Sequence, residues 1–223
     1  MKNITLVIPA KNEKESLPDV LDELKKFNVN KIVVLESSDT DTIDAIKNYD
    51  CDILFQSING YGAALIEGIK NVKTKYFCIY NADGSFYPNE LSSMLNELDK
   101  NNVDIVFGSR YEINASSEDD TIITLIGNFI FTKIGNLFFG LNVTDILYTY
   151  IIGNTSKAKN LNLKSKDFKF CVELPIRAKR SGYKLVNSKA HERSRIGGKK
   201  KVNPFKDGFI IFIYLIKLFF VRN

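Results

Sequence analysis

Strand-like and helix-like segments alternate along the first 110 residues, and this alternation restricts the fold more than any other feature of the sequence. The predicted strands cover residues 4–8, 31–35, 52–55, 76–80 and 103–108, and the predicted helices cover residues 17–27, 41–48, 62–70 and 88–100. The strands are short and largely apolar, and the helices carry apolar residues at helical spacing. Such an order is typical of an α/β fold, with a mainly parallel central sheet and helices on both faces.

A polar tetrapeptide, Asn81-Ala82-Asp83-Gly84, follows the fourth predicted strand. In α/β sheets, ligands bind at the carboxyl ends of the strands. A carboxylate followed by glycine at such an end can approach a divalent metal ion or a phosphate. The same four residues also fit an Asx-type turn that only reverses the chain, so this segment alone leaves both interpretations open.

The second half of the chain is less regular. Residues 121–139 are strongly apolar, and residues 169–180 have a helical pattern in which Pro175 limits where the helix can begin. Residues 184–190 have the pattern of a strand. Because no linker or internal repeat interrupts these patterns, we expect a single domain over residues 1–204.

Residues 205–223 are predicted to form an apolar C-terminal helix. The stretch from Phe209 to Val221 is apolar except for Lys217. As a helix this stretch is roughly 20 Å long, which is too short to cross a hydrocarbon core of about 30 Å. The helix follows Lys199-Lys200-Lys201 and precedes Arg222. We therefore favour attachment to a membrane surface over simple packing on the domain or an oligomer contact.

The composition is that of a globular protein, with 44% apolar and 26% charged residues. The net charge of +5 is uneven, because residues 164–201 are rich in Lys and Arg. Such a region suits phosphate or anionic lipid, whereas the interleaved aromatics or recognition helix of a nucleic-acid binder are missing. Three widely spaced cysteines match no metal spacing and indicate a reducing compartment. Since no signal-peptide pattern follows Met1, we expect a cytoplasmic protein.

Several motifs, taken in order, resemble those of family 2 glycosyltransferases of the GT-A fold. Val7 to Glu13 looks like the opening signature of that family, and Asn59 to Ala64 followed by Gly68 is similar to its glycine-rich stretch. Asn81-Ala82-Asp83 takes the place of the Asp-x-Asp metal motif. Gly108-Ser109-Arg110-Tyr111 resembles a segment of the branch that makes polyprenyl-phosphate sugars, the dolichyl-phosphate mannose and glucose synthases. The likeness continues in Gly127-Asn128, Asp145, Glu173 and residues 192–199.

The resemblance implies an inverting, metal-dependent transferase. It would move a monosaccharide from a UDP- or GDP-sugar to a polyprenyl phosphate, at the cytoplasmic face of a membrane. Asp83 would be a catalytic residue and the ligand of Mg²⁺ or Mn²⁺, a Lewis acid for the departing diphosphate, and Asp145 a second catalytic residue. The implied nucleotide-sugar-binding residues are Pro9, Ala10, Asn12, Glu13, Glu36, Gly60, Gly62, Asn81 and Ala82. The implied acceptor-phosphate-binding residues are Arg110, Arg193, Arg195 and Lys199.

Three positions depart from the family pattern. Leu35-Glu36 stands where an acidic pair is usual, so only Glu36 can contact the nucleoside. Asn81 replaces the first carboxylate of the metal motif, and its amide oxygen can ligate a hard cation without supplying charge. Thr124 stands where the polyprenyl-phosphate branch often has an arginine. These changes leave the sugar donor and the strength of metal binding open.

The nature of the acceptor also stays open at this stage. A lipid phosphate is already an anion and needs cations, whereas a sugar hydroxyl needs a general base. Asp145 or Glu173 would supply that base in a transferase that extends a glycan or a surface polymer. A third hypothesis is a degenerate nucleotide-sugar-binding module that acts through partners.

Overall fold

The computed structural model describes residues 3–100, 102–198 and 200–221, and its described part contains a seven-stranded sheet. The strands are β1 Ile4–Pro9, β2 Asn30–Leu35, β3 Asp52–Phe55, β4 Tyr76–Ile79, β5 Ile105–Ser109, β6 Ser116–Ser117, β7 Ile151–Asn154, β8 Leu185–Lys189 and β9 His191–Glu192. The order across the large sheet is β3-β2-β1-β4-β7-β5-β8. Only β7 runs antiparallel to its neighbours, and β6 pairs with β9 in a separate ribbon.

Helices cover both faces of the sheet, which confirms the predicted α/β class. The helices are α1 Leu17–Leu24, α2 Thr40–Ile46, α3 Tyr61–Asn71, α4 Glu90–Asp99, α5 Ile122–Phe139, α6 Thr155–Asn160, α7 Phe170–Arg180 and α8 Pro204–Phe220. Apolar residues of α1, α2 and α4 form a core on one face, and those of α3, α6, α7 and α8 form a core on the other. Both faces of the sheet are therefore buried, as the apolar character of its strands requires.

The structure differs from the prediction mainly in the second half of the chain. The antiparallel strand β7 was not predicted, although it lies between β4 and β5. The short helix α6 was not predicted either; Asn154 caps it by accepting a hydrogen bond from Lys157 N. Pro175 lies inside α7 instead of at its start. The residues of α7 from Phe170 to Ile176 are all buried, and this burial compensates for the backbone hydrogen bond that proline cannot donate.

The predicted C-terminal helix is present as α8, and it packs beside α5. Phe138 of α5 and Phe219 of α8 meet edge to face, with ring centroids 5.5 Å apart. By length and composition α5 is apolar enough to cross a membrane, and among the described residues it is the one helix that meets this criterion. The division into residues 1–204 and 205–223 stays a prediction; α8 begins at its boundary.

Parallel pairing brings the carboxyl ends of β1, β2 and β4 to one edge of the sheet. Residues 193–198 and 200–203 lie across this edge. They are attached by backbone hydrogen bonds from Arg193 N to Ser85 O and from Ile196 N to Asp83 O, the latter 2.8 Å long. The fold thus gathers polar residues from distant parts of the sequence around one opening.

Close packing of α3 against the sheet depends on Gly68. A Cβ atom at this position would lie 2.3 Å from Val7 Cγ1 and 3.0 Å from Val34 Cγ2. Gly127 of α5 provides a matched case, because a Cβ atom there would have no neighbour within 4 Å. The two helical glycines therefore differ in packing and share the same backbone propensity.

We expect Gly68→Ala to lower the free energy of unfolding by about 1–3 kcal/mol, because the added methyl group overpacks the contact with the strands. We expect Gly127→Ala to raise it by up to about 1 kcal/mol, because alanine favours the helix. Urea denaturation of the two variants measures both effects. Equal changes in the two variants would contradict this account of α3 packing.

Candidate active site

A cleft of about 430 Å³ opens at the carboxyl ends of β1, β2 and β4. Its walls come from the ends of these strands, the start of α3, the first turns of α5, Arg195 and residues between 200 and 204. Of the residues implied for nucleotide-sugar binding, Pro9, Ala10, Glu13, Glu36, Gly60, Asn81 and Ala82 line it. Asp83, Arg110 and Arg195 also line it. Residues from six separate stretches of the chain therefore share one opening.

The Asp83 carboxylate has two roles, one for each oxygen. Oδ1 accepts hydrogen bonds from Ser85 N at 3.0 Å and from Ser85 Oγ at 2.7 Å, which is the Asx-type turn of the sequence analysis. Oδ2 lies 3.4 Å from Nη2 of Arg195. Asn81 Nδ2 donates to Ser85 Oγ at 3.3 Å and so supports the same arrangement. The turn fixes the carboxylate while one of its oxygens stays directed at a cation.

The cleft can supply a few oxygen ligands to a divalent cation. Among the residues that the structure describes, no group of three or more His, Cys, Asp or Glu could hold a metal ion. Asp83 Oδ2 and the amide oxygen of Asn81 are the oxygens that the motif can offer. Mg²⁺ commonly binds through one or two carboxylates together with substrate phosphates and water. The residues present therefore fit a cation that binds together with a diphosphate.

Two acidic residues at the strand ends are paired with lysines. Glu36 accepts from Lys11 Nζ at 2.7 Å, and both residues line the cleft. Glu13 is buried, accepts from Ser16 Oγ at 2.8 Å and forms an ion pair with Lys201. Both carboxylates are available to a polar ligand that replaces the lysine.

Two of the implied donor-binding residues lie away from the lining in the described part of the chain. Asn12 has a φ of 52° and donates its N–H to Asp39 Oδ2 at 2.7 Å. Gly62 packs so tightly that a Cβ atom would lie 2.2 Å from Ser165 O and 2.7 Å from Asp167 O. In this structure Asn12 shapes the loop after β1, and Gly62 allows α3 to approach residues 165–167.

Arg110 is surrounded by carboxylates. Its Nε lies 2.7 Å from Asp145 Oδ2, and its Nη1 lies 3.0 Å from Glu192 Oε2 and 3.3 Å from Asp120 Oδ1. All four side chains are at most 11% exposed. Burial lowers the pKa of Arg110, but the three carboxylates outweigh it and hold that pKa well above its usual value. Burial also raises the pKa of Glu192.

This network bears on the roles implied for Arg110 and Asp145. Arg110 lines the cleft, but a phosphate would have to displace a carboxylate to bind it. Asp145 is fully buried and accepts hydrogen bonds from Arg110 and, at 2.8 Å, from Asn128 Nδ2. The structure does not bring Asp145 into the lining of the cleft, and its contacts are those of a residue that positions Arg110 and α5.

Of the cations implied for the acceptor phosphate near the carboxyl terminus, one turns away from the cleft and one faces it. Arg193 turns away from the cleft, because its guanidinium binds Glu23, with Nη1 2.9 Å from Oε1, and the carbonyl oxygen of Phe86. Arg195 faces Asp83 and Asp119. Lys199 lies outside the described residues.

Two further lysines line the cleft, although the sequence analysis did not assign them to it. Lys200 pairs with Asp119 at 2.9 Å, and Lys201 pairs with Glu13. Their position in the basic run next to Lys199, which the family resemblance assigns to the acceptor phosphate, is the signal that could have found them. Ser85 was missed as well, and its place two residues after Asp83 was the signal for an Asx turn.

Glu173 is buried, and its carboxylate is occupied by structural hydrogen bonds. It accepts from Ser165 N at 2.7 Å, from Lys164 N at 3.0 Å and from Arg177 Nε at 2.7 Å. Burial raises the pKa of this carboxyl, but these hydrogen bonds outweigh burial and lower its pKa overall. The arrangement suits a carboxylate that holds the turn before α7 and does not suit a proton acceptor.

We expect Glu173→Gln to lower the free energy of unfolding by about 1.5–3 kcal/mol at neutral pH, because charge-assisted hydrogen bonds are lost. A carboxyl whose pKa is lowered on folding stabilises the protein above its unfolded pKa of about 4.3. That stability is lost as the pH falls through the folded pKa. The difference between wild type and variant should therefore shrink toward acidic pH in urea denaturation.

Glu97→Gln is the matched control, because the Glu97 side chain is 41% exposed and pairs with Lys100 three residues later on the surface. A Glu173→Gln variant that keeps its stability but loses its activity would contradict the structural role and restore the role of a base.

Comparisons with known proteins agree with this geometry. The model of the family described as glycosyl transferase family 2 matches residues 5–161. An uncharacterised protein of Methanocaldococcus jannaschii is 30% identical over 82% of this chain and 78% of its own length. An uncharacterised glycosyltransferase of Mycobacterium tuberculosis is 27% identical over 94% of both chains.

A solved structure shares the fold. Glucosyl-3-phosphoglycerate synthase of Mycobacterium tuberculosis, crystallised with Mn²⁺, UDP and phosphoglyceric acid, superposes with a TM-score of 0.75 at 14% identity. The match covers all of this chain and 80% of that one. The likeness extends over the whole sheet and both helical layers.

Proposed function

The chain belongs to glycosyltransferase family 2 and has the GT-A fold, and we propose that it moves a monosaccharide from a UDP- or GDP-sugar to a lipid phosphate. The acceptor would be of the polyprenyl-phosphate type, used at the cytoplasmic surface of a membrane. The observation that carries the proposal is the Asp83 carboxylate, which is fixed by Ser85 and directed at the cations of a cleft at the strand ends.

The donor would bind along the strand ends. Glu36 and Lys11 offer an acceptor and a donor of hydrogen bonds to a nucleobase, and Glu13 is placed for the ribose. The diphosphate would take over Arg195 and Lys201 from the carboxylates that now neutralise them. In this exchange Asp83 would gain the metal cation, and Glu13 would gain hydrogen bonds from the ribose hydroxyls, in place of their present partners.

In the reaction, an oxygen of the acceptor phosphate attacks the anomeric carbon from the face opposite the diphosphate. The new bond joins this oxygen to the anomeric carbon, and the bond between that carbon and the diphosphate oxygen breaks. The electron pair leaves with the nucleoside diphosphate, and the configuration at carbon is inverted. Since the attacking phosphate is already an anion, no side chain has to remove a proton.

The proposed cofactor is Mg²⁺ or Mn²⁺, held by Asp83 and Asn81 together with the diphosphate. When bound, the cation acts as a Lewis acid that stabilises the charge of the departing diphosphate. The Mycobacterium tuberculosis synthase with the same fold was crystallised with either Mn²⁺ or Mg²⁺ and UDP, which supports this proposal.

We expect Mn²⁺ alone to bind weakly, because the protein supplies one carboxylate oxygen and one amide oxygen. With UDP present, binding should strengthen, and Ser85→Ala should weaken it about 10–100-fold because Asp83 loses its support. Calorimetric titration with Mn²⁺ tests this. Ser93→Ala, on the exposed face of α4, is the control. Unchanged Mn²⁺ binding by Asp83→Ala in the presence of UDP would exclude the site.

The cations of the cleft support an anionic acceptor. Arg195 and Lys200 line the cleft and both contact Asp119, so Lys200 would meet the acceptor phosphate next to the Arg195 that binds the diphosphate. This set is smaller than the one implied by the family resemblance, because Arg110 is held by carboxylates, Arg193 binds Glu23, and Thr124 stands in place of an arginine. The apolar helices α5 and α8 begin at the same side, since Thr124 and Pro204 line the cleft.

A second acceptor class also has support from the site. Asp119 and Asp120 line the cleft, and a carboxylate there is suited to removing a proton from an acceptor hydroxyl. The synthase that shares the fold was crystallised with phosphoglyceric acid, a small phosphorylated hydroxy acid. The alternative is therefore transfer to the hydroxyl of a soluble or glycan acceptor.

Radiolabelled nucleotide sugars distinguish the two acceptors. With polyprenyl phosphate as acceptor, we expect label in an organic extract, and Asp83→Ala should lower the rate at least about 100-fold if charge stabilisation is lost. The released product should yield free sugar on mild acid treatment, as a glycosyl phosphate does. Label found only in water-soluble products, with activity lost in Asp120→Asn, would overturn the lipid acceptor and favour the second class.

A further inference from the structure

Most large apolar side chains of helix α5 face outward, while its inner side combines a row of polar residues with Phe131, Ile134 and Phe139, which pack on the core. Eight large apolar residues of this helix are exposed, and Phe129 is 61% exposed. Its buried residues are Asn128, Thr132 and Gly135. A surface helix of a soluble domain has the opposite pattern, with apolar residues inward. The inverted pattern of α5 suits a helix whose outer side lies in an apolar medium.

Polar residues on the inner side attach α5 to the domain along its length. Asn128 Oδ1 accepts from Leu147 N at 3.1 Å, and Thr132 Oγ1 accepts from Ile146 N at 3.2 Å. Asn136 binds both backbone groups of Val143, at 2.8 and 3.1 Å. These residues recur every fourth position and thus form one row. A helix held in this way stays on the domain surface and cannot cross a bilayer by itself.

Helix α8 extends the exposed apolar surface. Seven large apolar residues of α8 are exposed, and Phe209 is 67% exposed. Together α5 and α8 carry fifteen of the twenty-one exposed large apolar residues in the described part of the chain. Soluble monomers rarely expose apolar patches above about 300–600 Å², and larger ones mark interaction sites. We call this surface the α5/α8 face.

The charged residues on this face favour an anionic bilayer over a second copy of the chain. Lys133, Lys206 and Lys217 are the charged side chains that α5 and α8 expose, and Asp207 is partly buried. In a two-fold dimer the same patch meets itself, so that lysines would approach lysines. Anionic headgroups instead accept lysines, while the apolar part of the face enters the boundary of the acyl chains.

We propose that the α5/α8 face docks in the plane of an anionic phospholipid bilayer and sets the mouth of the cleft at the lipid surface. Thr124 and Asn128 of α5 and Pro204 of α8 line the cleft, so the face continues directly into it. The idea that docking brings a lipid acceptor to the cleft rests on the proposed function. The docking itself does not, and its test contains neither nucleotide sugar nor polyprenyl phosphate.

Single tryptophans test where the protein contacts lipid, because the chain contains no tryptophan. Phe129→Trp and Phe209→Trp place the probe on the α5/α8 face, and Phe55→Trp is the control on edge strand β3, where Phe55 is 53% exposed. The probe vesicles contain equal parts of phosphatidylcholine and phosphatidylglycerol. We expect blue-shifted emission and quenching by brominated acyl chains at positions 129 and 209 only. Equal responses at all three positions, or none, would overturn the proposal.

Serine variants measure the strength of docking by vesicle sedimentation. We expect Phe129→Ser combined with Phe209→Ser to weaken binding at least about ten-fold, since two aromatic side chains no longer enter the lipid. Lys217→Gln should weaken it about five-fold on anionic vesicles and leave binding to pure phosphatidylcholine unchanged. Ile113→Ser is the matched control, because Ile113 is 85% exposed on the loop between β5 and β6 and belongs to neither helix.

Two measurements distinguish loss of membrane docking from unfolding and from self-association. Melting temperatures should be the same for wild type and the serine variants, because the replaced side chains are exposed. Sedimentation velocity without vesicles tests self-association. A dimer that the double serine variant dissociates, together with no vesicle binding by wild type, would assign the face to a second copy and overturn membrane docking. Glycosyl transfer without vesicle binding would overturn docking alone.

Discussion

Opposite charges hold residues 193–198 and 200–203 across the carboxyl ends of the strands, and the shape of the cleft depends on that attraction. Arg195 faces Asp83, Lys200 faces Asp119 and Lys201 faces Glu13. An exposed ion pair contributes little stability by itself, but several partly buried pairs on one segment act together. The described residues of this segment, which follow β9, contain no strand or helix, so these pairs and the backbone hydrogen bonds determine its course. A ligand that carries both phosphates and a metal cation matches this charge pattern, because the phosphates suit the basic side chains and the metal cation suits the carboxylates.

The first half of the fold was predictable because its strands and helices are regular in period and are joined by short connections. The predicted strand at residues 31–35 and the helix at residues 62–70 agree with the observed elements within two residues. Strand β7 was not predictable in the same way, because it pairs antiparallel between β4 and β5, which precede it in sequence by many residues. The position of Pro175 inside α7 was also unexpected, since helix propensity disfavours it and only tertiary burial allows it.

The candidate site was predictable in its chain positions but not in its side-chain directions. The order of the motifs located Glu13, Glu36 and Asp83 near one another, because parallel strands end at a common edge. The sequence could not reveal that Arg193 turns toward Glu23, on a helix 170 positions earlier. Nor could it reveal that Arg110 is shared by three carboxylates. How readily a cation next to a motif can bind a ligand depends on the number and burial of the carboxylates that pair with it, and tertiary structure sets both.

Asn128 connects the buried charge network beside the cleft with the exposed helix α5. Its Nδ2 donates to Asp145, which orients Arg110 beside the cleft, and its Oδ1 accepts from Leu147 N and fixes the rotation of α5. A shorter or apolar side chain at this position would remove both hydrogen bonds and so disturb the Asp145–Arg110 pair and the orientation of α5 together. Evolution therefore has little freedom to reorient the outer surface of α5 without also changing the wall of the cleft, because one amide group holds both.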